Sequence, residues 1–595
     1  MCGIVGYIGK KQSIDTLLEG LSKLEYRGYD SAGIAYLSNN EIKIIKESGK
    51  LENLKKIVSI EESNIGIGHT RWATHGKPTS INAHPFKVGK FTIVHNGIIE
   101  NYSEIKEKLI KKGYTFKSDT DSEVLCALID STYHNDIKEC LNNLNKILKG
   151  SYALGIICDD YKESLFIMKK NSPLIIGVGN ETNYIASDVP AILDKTKKYI
   201  VLEDGDYGEI TKDKINIYNN QKLKNNQIKE FEYDATSISK NGYDHFMLKE
   251  INEQPDVFKK MTKEYLSDID TLINKMPDFS KYNKIRIVAC GSAYHAGLVG
   301  KQLIEKYANI KVEVNIASEF RYNKLFLDKD ELVIAVSQSG ETADTLEAIK
   351  RAKNNGNDTL GIVNEKGSSI ARETKLILYT DAGKEIAVAT TKAYFAQVLM
   401  LNLIALNIAN MKNMIDKKEI INILKSVKNI PNYMMELLNI DYKPIAQTIK
   451  DHQDVFFIGR GTDYALALEG ALKLKEISYI HSEAYAAGEL KHGTISLIEN
   501  GTIVIAIVTD SDISAKTISN IKEVKTRGAY VICITNEDNI DESCYDKKIV
   551  IPKVSDIFNP LLAVIPLQII SYECAKLREC NIDKPKNLAK SVTVE

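Results

Sequence analysis

Proline and tryptophan are scarce in this chain, with 12 prolines and a single Trp72 in 595 residues. So little proline excludes a collagen-like or proline-rich extended protein. Charge of one sign is missing too. With 78 Lys+Arg against 79 Asp+Glu the formal charge is −1, so there is no basic excess for nucleic acid and no polybasic block for a membrane surface. Long apolar runs are short of a membrane span: YFAQVLMLNLIALNIAN is interrupted by Gln and Asn before it reaches ~18 clean residues. The charged Lys10 and Lys11 follow only a short strand-like run, so no signal peptide is expected. Nine cysteines are scattered without a CxxC pair, which argues against structural zinc and fits a reducing, cytoplasmic compartment. No GxxxxGK[ST] loop occurs, and the GxG of GRGTDY falls short of the dinucleotide fingerprint, so neither a nucleoside triphosphate nor a dinucleotide is expected. No cofactor is expected.

What is present sorts into regions. The length suggests three or four domains. Up to about residue 225 the chain is rich in short β-like runs such as GIVGYI, AGIAYL, FTIVHNGII and YALGIICD. Helical patterns interrupt them near 13–25, 101–112 and 120–133. A polar, weakly periodic stretch follows, and 226–279 reads as a linker with a connecting helix. From about 280 the pattern becomes strand, loop, helix, repeated. IVACGSAY stands opposite FFIGRGTDY as an internal duplication. Strands alternating with helices imply parallel sheets, placed at 280–430 and 446–580, with a tail at 581–595.

The N-terminal region carries a dense set of reactive residues. If Met1 is removed, Cys2 combines a thiol nucleophile with an α-amine that can act as a base near neutral pH. Asn96 and Gly97, after the strand FTIVH, offer a side-chain amide and a backbone N–H as an oxyanion hole. Arg71 can grip a carboxylate bidentately, and Asp121 can hold an α-ammonium. Together they describe an α-amino-acid amide, glutamine or asparagine. Each piece has a bland alternative: Cys2 as the small residue opening a strand, HNG as a hairpin turn, Arg71 as a salt-bridge arginine. His69, His75, His84 and His95 lack HxxxH or HxH spacing, so no metal is expected.

MCGIVG, LEYRGYDSAG, HTRWATHG, NAHP, VHNGIIEN and SDTDSE together resemble the N-terminal-nucleophile (class II) glutamine amidotransferases over about the first 225 residues. The resemblance implies an α+β N-terminal-nucleophile hydrolase sandwich (αββα). It implies that Cys2 attacks glutamine, that Asn96 and Gly97 form the oxyanion hole, and that Arg71, Trp72, Thr74, His75 and Asp121 hold the substrate. Arg27 lies in the motif that packs over the nucleophile.

The second half must supply an acceptor for ammonia. VIAVSQSGETADTLEAIK places Ser337, Gln338, Ser339 and Thr342 between a buried strand and a helix start, where hydroxyls and N–H groups suit phosphate. A plain helix cap is the bland alternative. Glu469, Lys473 and Glu476 stand at i, i+4 and i+7 on one face of a Gly/Ala/Leu-rich helix. An exposed ion-paired stripe would look the same in sequence. This half resembles tandem sugar isomerase (SIS) domains. Fused to the first half, it resembles the glutamine–fructose-6-phosphate aminotransferase (isomerizing), or glucosamine-6-phosphate synthase, family along nearly the whole chain. SQSGET, EGALKLKEISYIHSEAYAAGELKHG and NLAKSVTVE carry the likeness.

That resemblance implies L-glutamine and D-fructose 6-phosphate as substrates and a homodimer. Ser337, Gln338, Ser339 and Thr342 would bind the sugar phosphate, with Ser292 from the loop CGSAY, where Ala293 stands in place of a second hydroxyl. Glu476 would move a proton between C1 and C2, His492 would assist ring opening, Lys590 would form an imine, and Glu469 and Lys473 would support the site. Four rival readings are weighed. A phosphoribosyl-transferring amidotransferase lacks its acidic pair here, and an asparagine synthetase lacks its SGGxDS-type loop. A non-enzymatic sugar-phosphate sensor would not need Glu476 and Lys590. A deglycase running the reaction in reverse is the remaining enzymatic rival.

Overall fold

The computed structural model describes residues 2–25, 28–73, 76–230 and 239–593. Arg27, Thr74 and His75, three of the expected site residues, lie outside the described residues. The chain divides into two compact units: Met1–Ser239 with Ser591–Glu595, and Lys240–Lys590.

The first unit is built on two antiparallel sheets, one of eight strands and one of seven. Its opening strand, Gly3–Ser13, is buried on both faces over its first six residues. Ile4 and Ile8 point into the core between the sheets, and Val5 and Tyr7 into the core under the helices Asp15–Leu24 and Leu51–Ile57. Burial on both sides is why GIVGYI reads as a continuous apolar run rather than an alternating one. Tyr102–Lys111, Asp121–Thr132 and Ile137–Ile147 cover the other sheet. The layers are therefore helix, sheet, sheet, helix. Three of these helices fall where the periodicity placed them. Leu51–Ile57 and Ile137–Ile147 escaped it, the first because seven residues are too few to show a period.

The second unit takes in much of the segment read as linker. Phe246–Asn252, Gln254–Tyr265 and Ile269–Lys275 are helices whose apolar residues join its main core. Two five-stranded parallel sheets follow. Numbered within each sheet in chain order, both have the strand order 2-1-3-4-5. In this arrangement the crevice lies outside the carboxyl ends of strands 1 and 3, where the chain reverses its winding. In the first sheet those strands are Lys284–Ala289 and Glu331–Ser337, and in the second Asp454–Gly459 and Ile503–Val508. The duplication extends to packing. Gly300, in the helix Gly291–Ala308, faces Leu401 of the helix Lys392–Met411, where an added Cβ would come within 2.8 Å. Gly470, in Thr462–Ser478, faces Phe457 and Leu567, the latter on Asn559–Leu577, at 2.9 and 3.0 Å.

One expectation is corrected here. Lys392–Met411 and Asn559–Leu577 are long and apolar enough to cross a membrane by length and composition, yet their apolar windows are 89% and 83% buried within the protein. Some of the Gln and Asn residues in them are internal ties. Asn402 Nδ2 donates to Ile557 O at 2.5 Å, and Gln254 Nε2 donates to Gln568 Oε1 at 2.7 Å. A buried amide left without such a bond costs about 1–3 kcal/mol.

Candidate active sites

In the first unit the strand register assembles a site. Gly3 pairs with Thr70, so Cys2 comes opposite the turn that follows Arg71. The Trp72 N–H donates to Cys2 Sγ at 3.2 Å, and Trp72 O lies 3.6 Å from the sulfur. Asp30, from the stretch EYRGYDSAG, accepts the Ala73 N–H at 2.8 Å and fixes that turn. The Trp72 ring packs edge-on against Tyr29, with centroids 5.7 Å apart.

The strand Phe91–Ile99 of the other sheet supplies Asn96 and Gly97. Asn96 Nδ2 donates to Cys2 O at 2.9 Å. Gly97 adopts φ +128°, and a Cβ there would meet Ser151 O at 2.0 Å, so no other residue fits. Arg71 is 3% exposed, and its guanidinium donates to Gly76 O at 3.1 Å and Lys77 O at 3.3 Å. Burial works against its charge and lowers its pKa, while Cys2, Asp30 and Asp121 favour the charge. Asp121 opens its helix, where the dipole suits an anion, and accepts the Ile99 N–H at 2.9 Å. Asn82 of the NAHP stretch braces both sides, donating to Lys77 O at 3.0 Å and accepting from Asp119 N–H at 3.1 Å. The arrangement gathers a thiol, an amide, a guanidinium and a carboxylate, as an α-amino-acid amide requires.

In the second unit Glu469, Lys473 and Glu476 do share one face, and the exposed-stripe alternative fails: Glu469 and Lys473 are buried. Lys473 Nζ donates to Glu476 Oε2 at 2.5 Å and lies 3.5 Å from Glu469. Burial opposes the lysine charge, but Glu476 and Glu469 outweigh it and hold the Lys473 pKa above its ordinary value. Ser292 Oγ donates to Glu469 at 2.9 Å and accepts from Lys473 at 3.1 Å. The structure thus puts the Ser292 hydroxyl on the charge cluster. His295, missed in the sequence although three residues from Ser292, sits 2.9 Å from the other oxygen of Glu469.

Lys590 pairs with the buried carboxylate of Glu385 and donates to Thr390 Oγ1 at 3.2 Å. Glu385 also accepts N–H groups from Thr391 and Ala393, both at 3.0 Å, at the start of the helix Lys392–Met411. Burial would raise its pKa, but Lys590 overrides that and keeps it low. Glu385 also favours the charge of Lys473, which links the tail lysine to the cluster electrostatically. Only an acidic residue ahead of an apolar helix, in GKEIAVATTKAYF, could have signalled it.

The loop after Glu331–Ser337 is ordered by its own hydroxyls. Ser337 Oγ accepts the Gly340 N–H at 3.0 Å and lies 3.1 Å from Thr342 Oγ1, and Ser339 Oγ accepts the Glu341 N–H at 3.2 Å. Gln338 O accepts from Asn364 N–H at 3.1 Å. Thr342 then leads into the twelve-residue helix Ala343–Asn354. His492 is exposed in the turn Glu489–His492, apart from these bonds.

A glutamine amidotransferase domain model matches residues 55–245, and a SIS domain model matches 278–407 and 448–578. The glutamine–fructose-6-phosphate aminotransferase [isomerizing] of Clostridium tetani is 50% identical, covering 100% of both chains. The chain belongs to the glutamine–fructose-6-phosphate aminotransferase (isomerizing) family. The family's protein from Caldanaerobacter subterraneus is 48% identical over the same full extent. Among solved structures, the C-terminal domain of the Francisella tularensis glucosamine-fructose-6-phosphate aminotransferase is 38% identical, with a TM-score of 0.56. It covers 58% of this chain and 99% of that one.

Proposed function

We propose that the chain makes D-glucosamine 6-phosphate and L-glutamate from D-fructose 6-phosphate and L-glutamine, the first step of hexosamine synthesis. The observation that carries this reading is the meeting of Cys2 with the Asn96 amide, beside a buried Arg71 and Asp121. With Met1 removed, the Cys2 thiolate attacks the side-chain amide of glutamine and the α-amine carries its proton to the leaving ammonia. Asn96 and Gly97 stabilise the oxyanion, a contribution of about 10²–10³ in rate for one such donor. Arg71 takes the substrate carboxylate and Asp121 its ammonium; Trp72, Thr74 and His75 also serve to hold glutamine, and Arg27 belongs to the same set of motifs. Water then cleaves the γ-glutamyl thioester and releases glutamate.

In the second unit Ser337, Gln338, Ser339 and Thr342 bind the sugar phosphate. His492 assists ring opening. Lys590, docked by Glu385, forms an imine with the open-chain ketose, and ammonia displaces it. Glu476, with Lys473 and Glu469 behind it, moves a proton from C1 to C2. Ser292 positions that pair. The domain bounds of this reading are 1–225, 280–430 and 446–580, with the catalytic tail at 581–595.

A homodimer in a reducing, cytoplasmic setting completes it, in keeping with nine free thiols. A product assay tests the whole: glutamate and glucosamine 6-phosphate should appear together from glutamine and fructose 6-phosphate. Cys2→Ala should abolish use of glutamine and leave sugar isomerisation. Intact mass showing Met1 retained on fully active protein would contradict the proposed role of Cys2.

A further inference from the structure

Three buried histidines are joined to one another next to Asn96, and the proposed chemistry uses none of them. His69, His84 and His95 are 0%, 4% and 2% exposed. Burial lowers the pKa of all three, that of His69 to about 3, so each imidazole is neutral. Their bonds define which nitrogen carries the proton. His69 Nε2 lies 3.0 Å from His95 O, which can only accept, and so it bears the hydrogen. The same Nε2 is 3.0 Å from Asn96 Oδ1. His69 Nδ1 is buried without a hydrogen-bond partner, as suits a bare nitrogen. The His84 ring stacks on His69 with centroids 4.0 Å apart, and its Nδ1 accepts the His95 N–H at 3.2 Å. Both backbone polar groups of His95 are therefore bonded by neighbouring histidine rings, immediately before Asn96.

This matters because an asparagine amide can turn over about its last bond with almost no change of shape, yet the turn exchanges a donor for an acceptor. An oxyanion facing Oδ1 instead of Nδ2 would be repelled. We propose that His69 is a positioning residue that locks the Asn96 amide with Nδ2 toward the nucleophile by donating its Nε2–H to Asn96 Oδ1. The proposal rests on the reading of Asn96 as an oxyanion donor. His69 touches no substrate in it, and its whole effect passes through Asn96.

The test is a double-mutant cycle on glutamine hydrolysis, with His69→Leu, His69→Gln, Asn96→Ala and the pair His69→Leu/Asn96→Ala. His69→Leu should lower kcat by about 10²-fold, the scale of losing one oxyanion donor, and leave KM for glutamine within about threefold. His69→Gln, whose amide N–H can stand in for Nε2–H, should recover most of that loss. The pair should be no slower than Asn96→Ala alone, because the effects are not independent. Alkylation of Cys2 by iodoacetamide needs no oxyanion hole and should proceed at the wild-type rate in His69→Leu, which separates a misplaced amide from a misfolded site. Multiplying losses in the pair, or a His69→Gln enzyme as slow as His69→Leu, would overturn the positioning role. Full kcat in Asn96→Ala would overturn the oxyanion reading itself, and the proposal with it.

Discussion

The two parallel sheets of the second unit share one strand order, but their equivalent corners differ in chemistry. After the third strand of the first sheet come Ser337, Gln338, Ser339 and Thr342. After the third strand of the second come Thr509, Asp510, Ser511 and Asp512. The register that matches Tyr294 with Tyr464 also matches Gly300 with Gly470, which pack alike. By that register Glu469, Lys473 and Glu476 have Val299, Leu303 and Lys306 as counterparts. Lys306 bridges Asp512 at 2.8 Å and Asp556 at 3.0 Å, so a lysine of the other copy offsets part of the charge of the acidic corner formed by Asp510, Asp512 and Asp556. A doubly charged phosphate would meet carboxylates there and hydroxyls in the first copy. Duplication produced two similar corners, and the proposed reading assigns the sugar phosphate to the first copy's loop alone.

The largest effect is expected on the helix Thr462–Ser478. Glu476→Gln should lower glucosamine 6-phosphate formation by at least about 10³-fold while glutamine hydrolysis persists, because the proposed function assigns proton transfer to that carboxylate. Lys306→Met, at the counterpart, should change kcat by less than about threefold. Assaying glutamate and amino sugar separately distinguishes the two. Glu385→Gln comes next. It weakens the anchor of Lys590, so borohydride trapping of a fructose 6-phosphate adduct on Lys590 should fall by about tenfold or more, read by peptide mass. Ser337→Ala and Thr342→Val should each raise KM for fructose 6-phosphate by about tenfold, as the loss of one hydrogen bond to a charged group predicts. Thr509→Val in the second copy should leave that KM unchanged.

The smallest effect concerns the second corner alone. Asp463 is buried and accepts N–H groups from Thr509 at 2.7 Å and Asp510 at 3.2 Å. Burial nevertheless raises its pKa from 3.8 to about 6. A carboxyl raised by folding contributes stability that is present below the unfolded value and lost as pH rises through the folded one, here between 3.8 and about 6. The loss is at most about 3 kcal/mol. The Tm of Asp463→Asn relative to wild type should therefore improve from about pH 5 to about pH 7.5. A constant difference would contradict the assignment.

Much of the molecule was legible in the sequence because its signals are local. Strand–loop–helix periodicity marked both parallel sheets, and the i, i+4, i+7 spacing marked the Glu469–Lys473–Glu476 face. What stayed hidden depends on contacts between distant segments. Glu385 meets Lys590 across 205 positions of sequence, and nothing in either stretch names the other. His295 was visible beside Ser292, but its meeting with Glu469 depends on how two helices cross. Asp30 and His69 lay inside quoted motifs, yet their bonds to Ala73 N–H and Asn96 Oδ1 follow from how the sheets pair and stack. Lys392–Met411 misled in another way, since Asn402 within it is an internal tie rather than an exposed position.

In the proposed function one corner of the duplicated pair takes sugar phosphate and the other does not. Calorimetric titration of the full-length chain with glucosamine 6-phosphate measures this directly. One site per chain is expected, abolished or strongly weakened by Ser337→Ala with Thr342→Val and untouched by Thr509→Val. Two equivalent sites per chain, or one that survives the first pair and is lost with Thr509→Val, would contradict it.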